Sequence, residues 1–200
     1  VQLEVPRGVA PSSSTSFGSR TAQRGPRSST LTRMRVVFLD FDGVLNRTRG
    51  ALQLAFDADL LQLLKGLLEQ GDAKIVLSTF WRAFGDYIGY VLSRYGIPET
   101  RLYGRTPGQA HLAGSALDDK VYWNRSEEIL EWLRAHPEVT SFVILDDRSD
   151  AGRGALAPHF VHVATDKGLT QADVELALEI LGRSRPDLPS QPSTGLCVAS

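Results

Sequence analysis

The chain has 200 residues, of which 42% are hydrophobic and 22% are charged, and its formal net charge at pH 7 is −1. This length and composition are enough for one domain with a single core, and no apolar run is long enough to span a bilayer. Cys197 is the only cysteine, which excludes an internal disulfide and makes a reducing compartment, the cytoplasm, the expected location.

The charge is unevenly distributed along the chain. Residues 1–33 contain five Arg and one Glu, which leaves a net charge of −5 for residues 34–200. Proteins that bind duplex nucleic acid usually present a basic surface, so the acidic part argues against such a main partner. We expect one domain at 34–182 between disordered tails at 1–33 and 183–200, which are rich in Ser, Pro and Gly. Because Met34 is the only methionine, two alternatives stay open for the first tail: it belongs to the native protein or it precedes its start.

The first predicted strand runs directly into two carboxylates. Val36–Leu39 is a continuous apolar run, typical of a strand buried on both faces, and Asp40 and Asp42 follow it. Residues two apart in an extended chain point the same way, so both carboxylates share one side while Phe41 returns to the core. Gly43 then allows a sharp turn or the close approach of a ligand. Two neighbouring acids are relieved by a shared cation, for which Mg²⁺ is the natural candidate, unless they simply lie solvated at the strand end.

A helix and a second strand follow. Asp57 is the expected N-cap of a helix that carries five leucines on one face and has Gly71 as its stop. Lys74–Leu77 is then a short apolar strand that ends in two hydroxyl side chains, Ser78 and Thr79.

The middle of the chain continues the alternation. Phe84–Tyr95 is predicted as a helix ended by Gly96, and a short strand is expected near Leu102. Asn124 and Glu127 form a capping pair that opens a third helix.

The last part contains a strand that ends in two adjacent acids. Ser141–Leu145 is apolar and runs into Asp146 and Asp147, and Phe160–Ala164 is a further strand before a helix opened by Thr170. The alternation predicts an α/β Rossmann-like three-layer sandwich with a mainly parallel sheet of about five strands. Carboxyl ends of parallel strands meet at one edge, so these acids and hydroxyls should converge in a single crevice.

The order of these motifs resembles the haloacid dehalogenase-like (HAD) hydrolase superfamily: a strand with Asp-x-Asp-Gly, a strand ending in Ser or Thr, a Lys or Arg, and a strand ending in acids. Four local sequences are similar to the branch named after "Swiss army knife" RNA repair proteins. They are Leu77–Arg82, Gly104–Pro107, Glu128–Leu133 and Lys167–Thr170. The resemblance covers residues 34–182 and implies an Mg²⁺-dependent phosphomonoesterase that acts through an aspartyl-phosphate.

The resemblance gives each acid a role. Asp40 is the expected nucleophile, because a carboxylate in line with phosphorus can form an aspartyl-phosphate. Asp42 is the expected acid and base toward the leaving oxygen and the hydrolytic water, and its backbone carbonyl also binds Mg²⁺ in the family. Asp146 and Asp147 complete the predicted metal set, Asp146 directly and Asp147 through water or through Arg125. Together the predicted metal residues are Asp40, Asp42, Asp146 and Asp147.

The phosphate-binding groups leave alternatives open. Ser78 is expected to donate to a phosphate oxygen, with Thr79 as the competitor because a strand end can slip by one residue. Arg125 and Lys120 are alternatives for the cation that neutralises the phosphate. Arg82 either reaches the phosphate or pairs with a neighbouring acid.

Access to the site follows from the intervals between the motifs. Neither 46–72 nor 83–124 has the pattern of a separate folded lid, which predicts a minimal cap or none and an open crevice with Trp123, Arg105 and His111 at its rim. The expected substrates are phosphorylated molecules, among them nucleotides or nucleic-acid ends, with small phosphate esters as the alternative. A non-catalytic phosphate-binding module and a receiver-type phosphoacceptor are the competing functions. No membrane partner and no obligate protein partner is expected.

Overall fold

The computed structural model describes residues 33–48, 53–108 and 124–186. Most of both predicted tails lies outside these ranges, as do Lys120, Trp123 and His111. The described chain alternates strands and helices. The elements are β1 (Met34–Leu39), α1 (Ala58–Gly71), β2 (Ala73–Leu77), α2 (Gly85–Arg94), β3 (Leu102–Arg105), α3 (Arg125–Ala135), β4 (Val139–Asp146), β5 (Phe160–His162) and α4 (Gln171–Leu181).

The five strands form one parallel sheet in the order β3-β2-β1-β4-β5. The register places Leu39, at the end of β1, beside Leu77 of β2 and Leu145 of β4. The polar residues that follow these strands therefore lie at the same level of the sheet. The predicted α/β Rossmann-like fold is confirmed.

Both faces of the central strand are buried, because successive side chains alternate between two hydrophobic clusters. Val37 and Leu39 pack with the apolar faces of α1, α2 and α4. Val36 and Phe38 pack on the opposite face with Trp132 of α3, and the Phe38 and Trp132 rings meet edge to face at 5.3 Å. This two-sided burial explains the uninterrupted apolar run in β1 and fixes the direction in which the chain leaves it.

The predicted ends of α1 need correction. Asp57 is the N-cap residue, but its side chain makes no capping hydrogen bond, because its carboxylate accepts one from Arg47 Nη1 at 2.7 Å. The helix includes Gly71, and the left-handed residue that ends it is Asp72, with φ of 43°. The capping residue Asn124 of α3 accepts from the Glu127 N–H as predicted.

The remaining element predictions differ from the structure only in length. α2 begins at Gly85 after a 3₁₀ turn at Phe80–Phe84, and β5 ends at His162. Thr170 caps α4 in a reciprocal capping box, as predicted. No helix within the described ranges is long and apolar enough to cross a membrane. The described parts of the two intervals considered for a lid hold α1 and, further on, α2 and β3. The absence of a cap over 109–123 stays a prediction.

Candidate active site

Three buried carboxylates meet at the carboxyl edge of the sheet. Asp40 follows β1 and its N–H donates to the carbonyl of Leu145 at 3.0 Å, which ties it to the end of β4. Asp146 ends β4 and Asp147 follows it. Carboxylate oxygens of Asp40, Asp146 and Asp147 lie within 4.8 Å of one another. Sequence positions more than a hundred residues apart therefore form one acidic cluster.

Two members of the cluster, Asp40 and Asp147, line a cavity of about 910 Å³ that is open to solvent. Its wall is mainly charged and polar, with one exposed aromatic ring. The lining residues are Asp40, Asp42, Phe80, Arg125, Asp147, Arg148, Ser149, Asp150, Arg153 and His162. A charged ligand group entering this crevice meets acids and arginines together, which is the surface expected for a phosphate with a cation.

Arg125 brings a positive charge close to the acidic cluster but does not hydrogen-bond all of the cluster's carboxylate oxygens. Its Nη1 lies 3.6 Å from Asp40 Oδ1 and 3.4 Å from Asp146 Oδ2. Neither Arg125 Nη1 nor Asp146 Oδ2 has a hydrogen-bond partner among the described residues. Burial lowers the pKa of Arg125, but the nearby carboxylates of Asp40, Asp146, Glu128 and Asp150 together outweigh burial and raise it above its ordinary value. The guanidinium therefore stays charged.

The carboxylates themselves carry an electrostatic penalty. Burial raises the pKa of Asp40, and the charge of Arg125 opposes that rise without cancelling it. Burial raises the pKa of Asp146 well above its usual range, and the charge of Asp40 adds to the rise. A hard divalent cation bound by these oxygens would remove the penalty, since Mg²⁺ takes carboxylate ligands and leaves positions for water and phosphate. The donor set therefore fits Mg²⁺.

Asp147 is held in place by residues from two other segments. Thr165 Oγ1 donates to its carboxylate at 2.7 Å, and the ring of His162 bonds its backbone carbonyl at 2.9 Å. Gly43 has φ of 75°, and a Cβ there would lie 2.5 Å from Asp147 Oδ2. The close approach that Gly43 allows is thus to Asp147.

The side chain of Asp42 lies in the crevice wall but outside the carboxylate cluster. Asn46 Nδ2 donates to its Oδ1 at 2.9 Å, and Trp81 Nε1 donates to its Oδ2 at 3.2 Å. Asp40 and Asp42 both line the crevice, but the carboxylate of Asp42 is not among the three whose oxygens lie within 4.8 Å of one another. Metal binding by Asp42 stays a prediction.

The two hydroxyls after β2 have different surroundings. Thr79 Oγ1 accepts from the Trp81 N–H at 3.3 Å and hydrogen-bonds the Asp40 carboxylate. Ser78 Oγ is buried and has no hydrogen-bond partner among the described residues. A buried hydroxyl without a partner is costly, so its vacant hydrogen bond favours Ser78 as the group that meets a ligand.

Arg82 lies outside the crevice wall, where it takes the second of its two predicted alternatives. Its Nη1 and Nη2 contact the two carboxylate oxygens of Glu128 at 2.5 and 3.1 Å, and Nη1 also bonds Thr106 Oγ1 at 2.7 Å. All three residues are buried. Glu128 thus occupies both Nη atoms of the guanidinium, and contact of Arg82 with a substrate phosphate stays a prediction.

Comparison with known families places the chain directly. It matches, over residues 36–174, the family described as the HAD domain in Swiss Army Knife RNA repair proteins. The chain belongs to this family. No curated protein and no solved structure matches it significantly. HAD domains are generally hydrolases, and mostly phosphatases, so the family supports a hydrolase that acts on phosphorylated substrates.

The HAD domain contains contacts that sequence reasoning missed. Asn46 and Trp81 donate to the Asp42 carboxylate, and Thr165 donates to the Asp147 carboxylate. Trp81 lies in the motif Leu77–Arg82, but nothing in that motif relates it to Asp42, and Thr165 lies outside the quoted motifs. Asp150, another residue of the crevice wall, accepts from Arg148 Nε at 3.1 Å. Asn46 is the one with a usable signal, since it follows the first motif directly.

Proposed function

We propose that this HAD domain is an Mg²⁺-dependent phosphomonoesterase that acts through an aspartyl-phosphate on Asp40. The observation that carries the proposal is the buried cluster of Asp40, Asp146 and Asp147, in which Asp146 Oδ2 lies near Arg125 but has no hydrogen-bond partner among the described residues. Folding tolerates such a cluster poorly unless a ligand completes it, and perturbed, incompletely paired charges in a crevice favour a functional site.

The three clustered carboxylates would hold the metal, with the backbone carbonyl of Asp42 as the further oxygen that the family resemblance implies. Bound there, Mg²⁺ would offset the repulsion between an anionic nucleophile and an anionic phosphate. Manganese, which takes similar oxygen ligands, is the expected substitute.

The chain's own residues then account for two displacements. An oxygen of Asp40 forms a bond to phosphorus as the ester oxygen leaves, and Asp42 gives that oxygen its proton. In the second step, water attacks the phosphorus of the acyl phosphate and gives its proton to Asp42, while the bond from phosphorus to Asp40 breaks. Inorganic phosphate leaves, and both carboxyl groups return to their first states.

Ser78 and Arg125 are the proposed contacts of the transferred phosphoryl group. Ser78 Oγ and Arg125 Nη1 are buried and have no hydrogen-bond partner among the described residues. In the proposed complex, Ser78 donates to one phosphoryl oxygen and Arg125 donates through Nη1 to another. Donors already fixed in a buried site stabilise developing charge without rearranging during the reaction. Asn46 and Trp81 keep Asp42 in the wall of the crevice, where it can reach the leaving oxygen.

The proposed substrate is a terminal phosphate on a nucleotide or a nucleic acid. The description of the family as a domain of RNA repair proteins supports it, and so does an open crevice that admits the end of a larger molecule. A small phosphate ester is the second candidate, favoured by the net charge of −5 on residues 34–200.

A substrate screen of the full chain tests the function. Phosphate release should require Mg²⁺ or Mn²⁺ and should occur with p-nitrophenyl phosphate and with at least one of mononucleotides, sugar phosphates, and oligonucleotides bearing a 3′ or 5′ phosphate. Absence of turnover with every ester would refute the enzyme and leave the phosphate-binding module. One stable phosphoryl group per chain without turnover would identify the receiver-type alternative.

A further inference from the structure

Four exposed aromatic side chains form a row on the 3₁₀ turn after β2 and on α2. Phe80, Phe84, Tyr87 and Tyr90, here called the aromatic stripe, are between 43% and 57% exposed. Among the described residues, the only other large hydrophobic side chain with comparable exposure is Leu176. Nearly all the exposed large apolar surface of the described chain is thus aromatic and lies in one place.

The spacing of the stripe arranges its rings in sequence along one helical segment. Phe84, Tyr87 and Tyr90 recur every three residues, about one turn apart, into α2, and Phe80 begins the 3₁₀ turn that leads into this helix. The opposite face of α2 is already used, since Ile88 and Leu92 are buried in the core. Within the described part of the chain, the packing of α2 therefore does not depend on burial of the stripe.

One end of the stripe lies in the proposed active site. Phe80 lines the crevice. The Trp81 ring lies 5.8 Å from the Phe80 ring and 6.1 Å from the Phe84 ring, and its Nε1 donates to Asp42. The row of rings thus leads outward from the residue proposed as the acid and base.

We propose that the aromatic stripe stacks the unpaired bases of a single-stranded nucleic acid whose terminal phosphate enters the crevice. The inference rests on the proposed phosphatase function and specifies its substrate. Every nucleobase has a face that stacks on an aromatic ring, whatever its sequence. From Phe80 to Tyr90 the segment rises about 15 Å, which matches roughly four stacked nucleotides.

Charge favours a single strand over a duplex. Residues 34–200 carry a net charge of −5, and the exposed arginines in the crevice wall are Arg148 and Arg153, of which Arg148 contacts Asp150. With about two phosphates neutralised, the slope of log affinity against log salt should be only about −1.4. Stacking must then supply most of the affinity, and it requires bases that are free of a complementary strand.

Binding is measured with the full chain carrying Asp40→Asn, so that the ligand is not hydrolysed. Fluorescence anisotropy would use 5′- and 3′-phosphorylated RNA and DNA strands of one to eight nucleotides, a duplex, and strands with abasic positions next to the phosphate. We expect affinity to rise up to about four nucleotides, to level off, and to be lost in the abasic and duplex ligands. Equal affinity for RNA and DNA strands would indicate that the protein recognises the bases alone. Tighter binding of RNA would indicate an additional contact with the 2′-hydroxyl. Both results support stacking on the stripe.

Variants of the stripe separate stacking from fold. Tyr87→Ala and Tyr90→Ala should each weaken strand binding at least about fivefold, whereas Tyr87→Phe and Tyr90→Phe should retain it. Leu176→Ala is the matched control, an exposed apolar truncation outside the stripe. In the otherwise wild-type chain, the alanine variants should lower kcat/KM for phosphorylated strands and leave that for p-nitrophenyl phosphate unchanged.

The two proposals fail in different ways. Strand binding by Asp40→Asn without hydrolysis of any ester by the wild type would refute the phosphatase and keep the stripe. Hydrolysis with affinity independent of strand length and of bases would refute the stripe and keep the phosphatase. A dimer that Tyr87→Ala disperses, with strand binding unchanged, would also overturn the stripe, because the rings would then pack against a second copy.

Discussion

Two buried charged clusters lie close together in this domain, and they are built on opposite principles. In the first, Arg82 and Glu128 contact each other through both Nη atoms and both carboxylate oxygens, and Thr106 adds a hydrogen bond. In the second, Asp40 and Asp146 share Arg125 at 3.4 to 3.6 Å, without a hydrogen bond to Asp146 Oδ2. Among the described residues, the first cluster leaves one buried side-chain atom, Arg82 Nε, without a hydrogen-bond partner, whereas the second leaves both Arg125 Nη1 and Asp146 Oδ2 without one.

The contrast assigns different work to the two clusters. Arg125 and Glu128 lie three residues apart on α3, so the pair with Arg82 anchors the same helix turn that presents Arg125 to the acids. A buried ion pair whose carboxylate oxygens are both bonded by the guanidinium fixes the position of the helices that carry it. Buried charged atoms without a hydrogen-bond partner instead favour the binding of a ligand that supplies one. We infer that the paired cluster positions α3 and that the unpaired cluster binds the metal and the phosphoryl group.

The largest expected effect comes from the nucleophile in the unpaired cluster. Asp40→Asn keeps the shape of the side chain and removes the proposed covalent route, so kcat should fall more than about a thousandfold while the circular dichroism spectrum is unchanged. Asp72→Asn is the control and should keep full activity. Asp72 is exposed, and asparagine tolerates the left-handed backbone conformation found at this position. Retention of a tenth of the wild-type rate by Asp40→Asn would exclude Asp40 as the nucleophile.

The next largest effect is expected when the ion pair between Arg82 and Glu128 is broken. Glu128→Gln leaves the Arg82 charge buried without its counter-ion, and we expect the free energy of unfolding to fall by about 3 kcal/mol in urea titrations. Glu179→Gln is the matched control, because Glu179 pairs with Arg183 at the exposed end of α4 and such pairs contribute only about 0.5 kcal/mol. Equal, small losses for both variants would show that burial does not distinguish the Arg82 pair.

The unpartnered hydroxyl offers a third contrast. Ser78→Ala removes a buried group that bonds nothing among the described residues, so stability should be retained while kcat/KM falls about a hundredfold from the loss of one donor. Thr106→Val removes a hydroxyl that bonds Arg82 and should lower stability by about 1 kcal/mol. Thermal melts and phosphatase assays on both variants check the pair, and unchanged activity in Ser78→Ala would shift the role to Thr79.

The sequence sufficed for those parts of the fold that depend on local pattern. Uninterrupted apolar runs identified β1, β2 and β4, and strand ends identified the acids and hydroxyls that meet at the sheet edge. The helix caps at Asn124 and Thr170 were likewise predicted, because each capping contact spans only three residues.

The contacts that complete the site depend on chain positions that no local pattern relates. Arg82 and Glu128 are 46 residues apart, and Trp81 and Asp42 are 39 apart. From the sequence alone, Arg82 has two alternative partners, a substrate phosphate and a neighbouring acid. Its contact with Glu128 depends on how α3 packs. At α1, Gly71 was a natural helix stop by residue type, but the left-handed conformation falls one residue later, on Asp72. Residue preference is outweighed there by the position at which β2 must start.

The last prediction reverses the sign of the stability effect between the clusters. Asp146→Asn removes one charge from a buried group of acids that repel one another, so without metal the variant should be more stable than the wild type, by about 1 kcal/mol at neutral pH. The opposite result is expected at Glu128, where removing a charge destabilises the fold.

Addition of Mg²⁺ should raise the melting temperature of the wild type, because the ion binds only the folded state, and should raise that of Asp146→Asn much less. Differential scanning calorimetry with EDTA and with millimolar Mg²⁺ measures both effects, with Asp72→Asn as the control that should respond to Mg²⁺ like the wild type. A wild type that is insensitive to Mg²⁺ and is more stable than Asp146→Asn in EDTA would mean that Arg125 alone neutralises the acids, and the distinction between the two clusters would be lost.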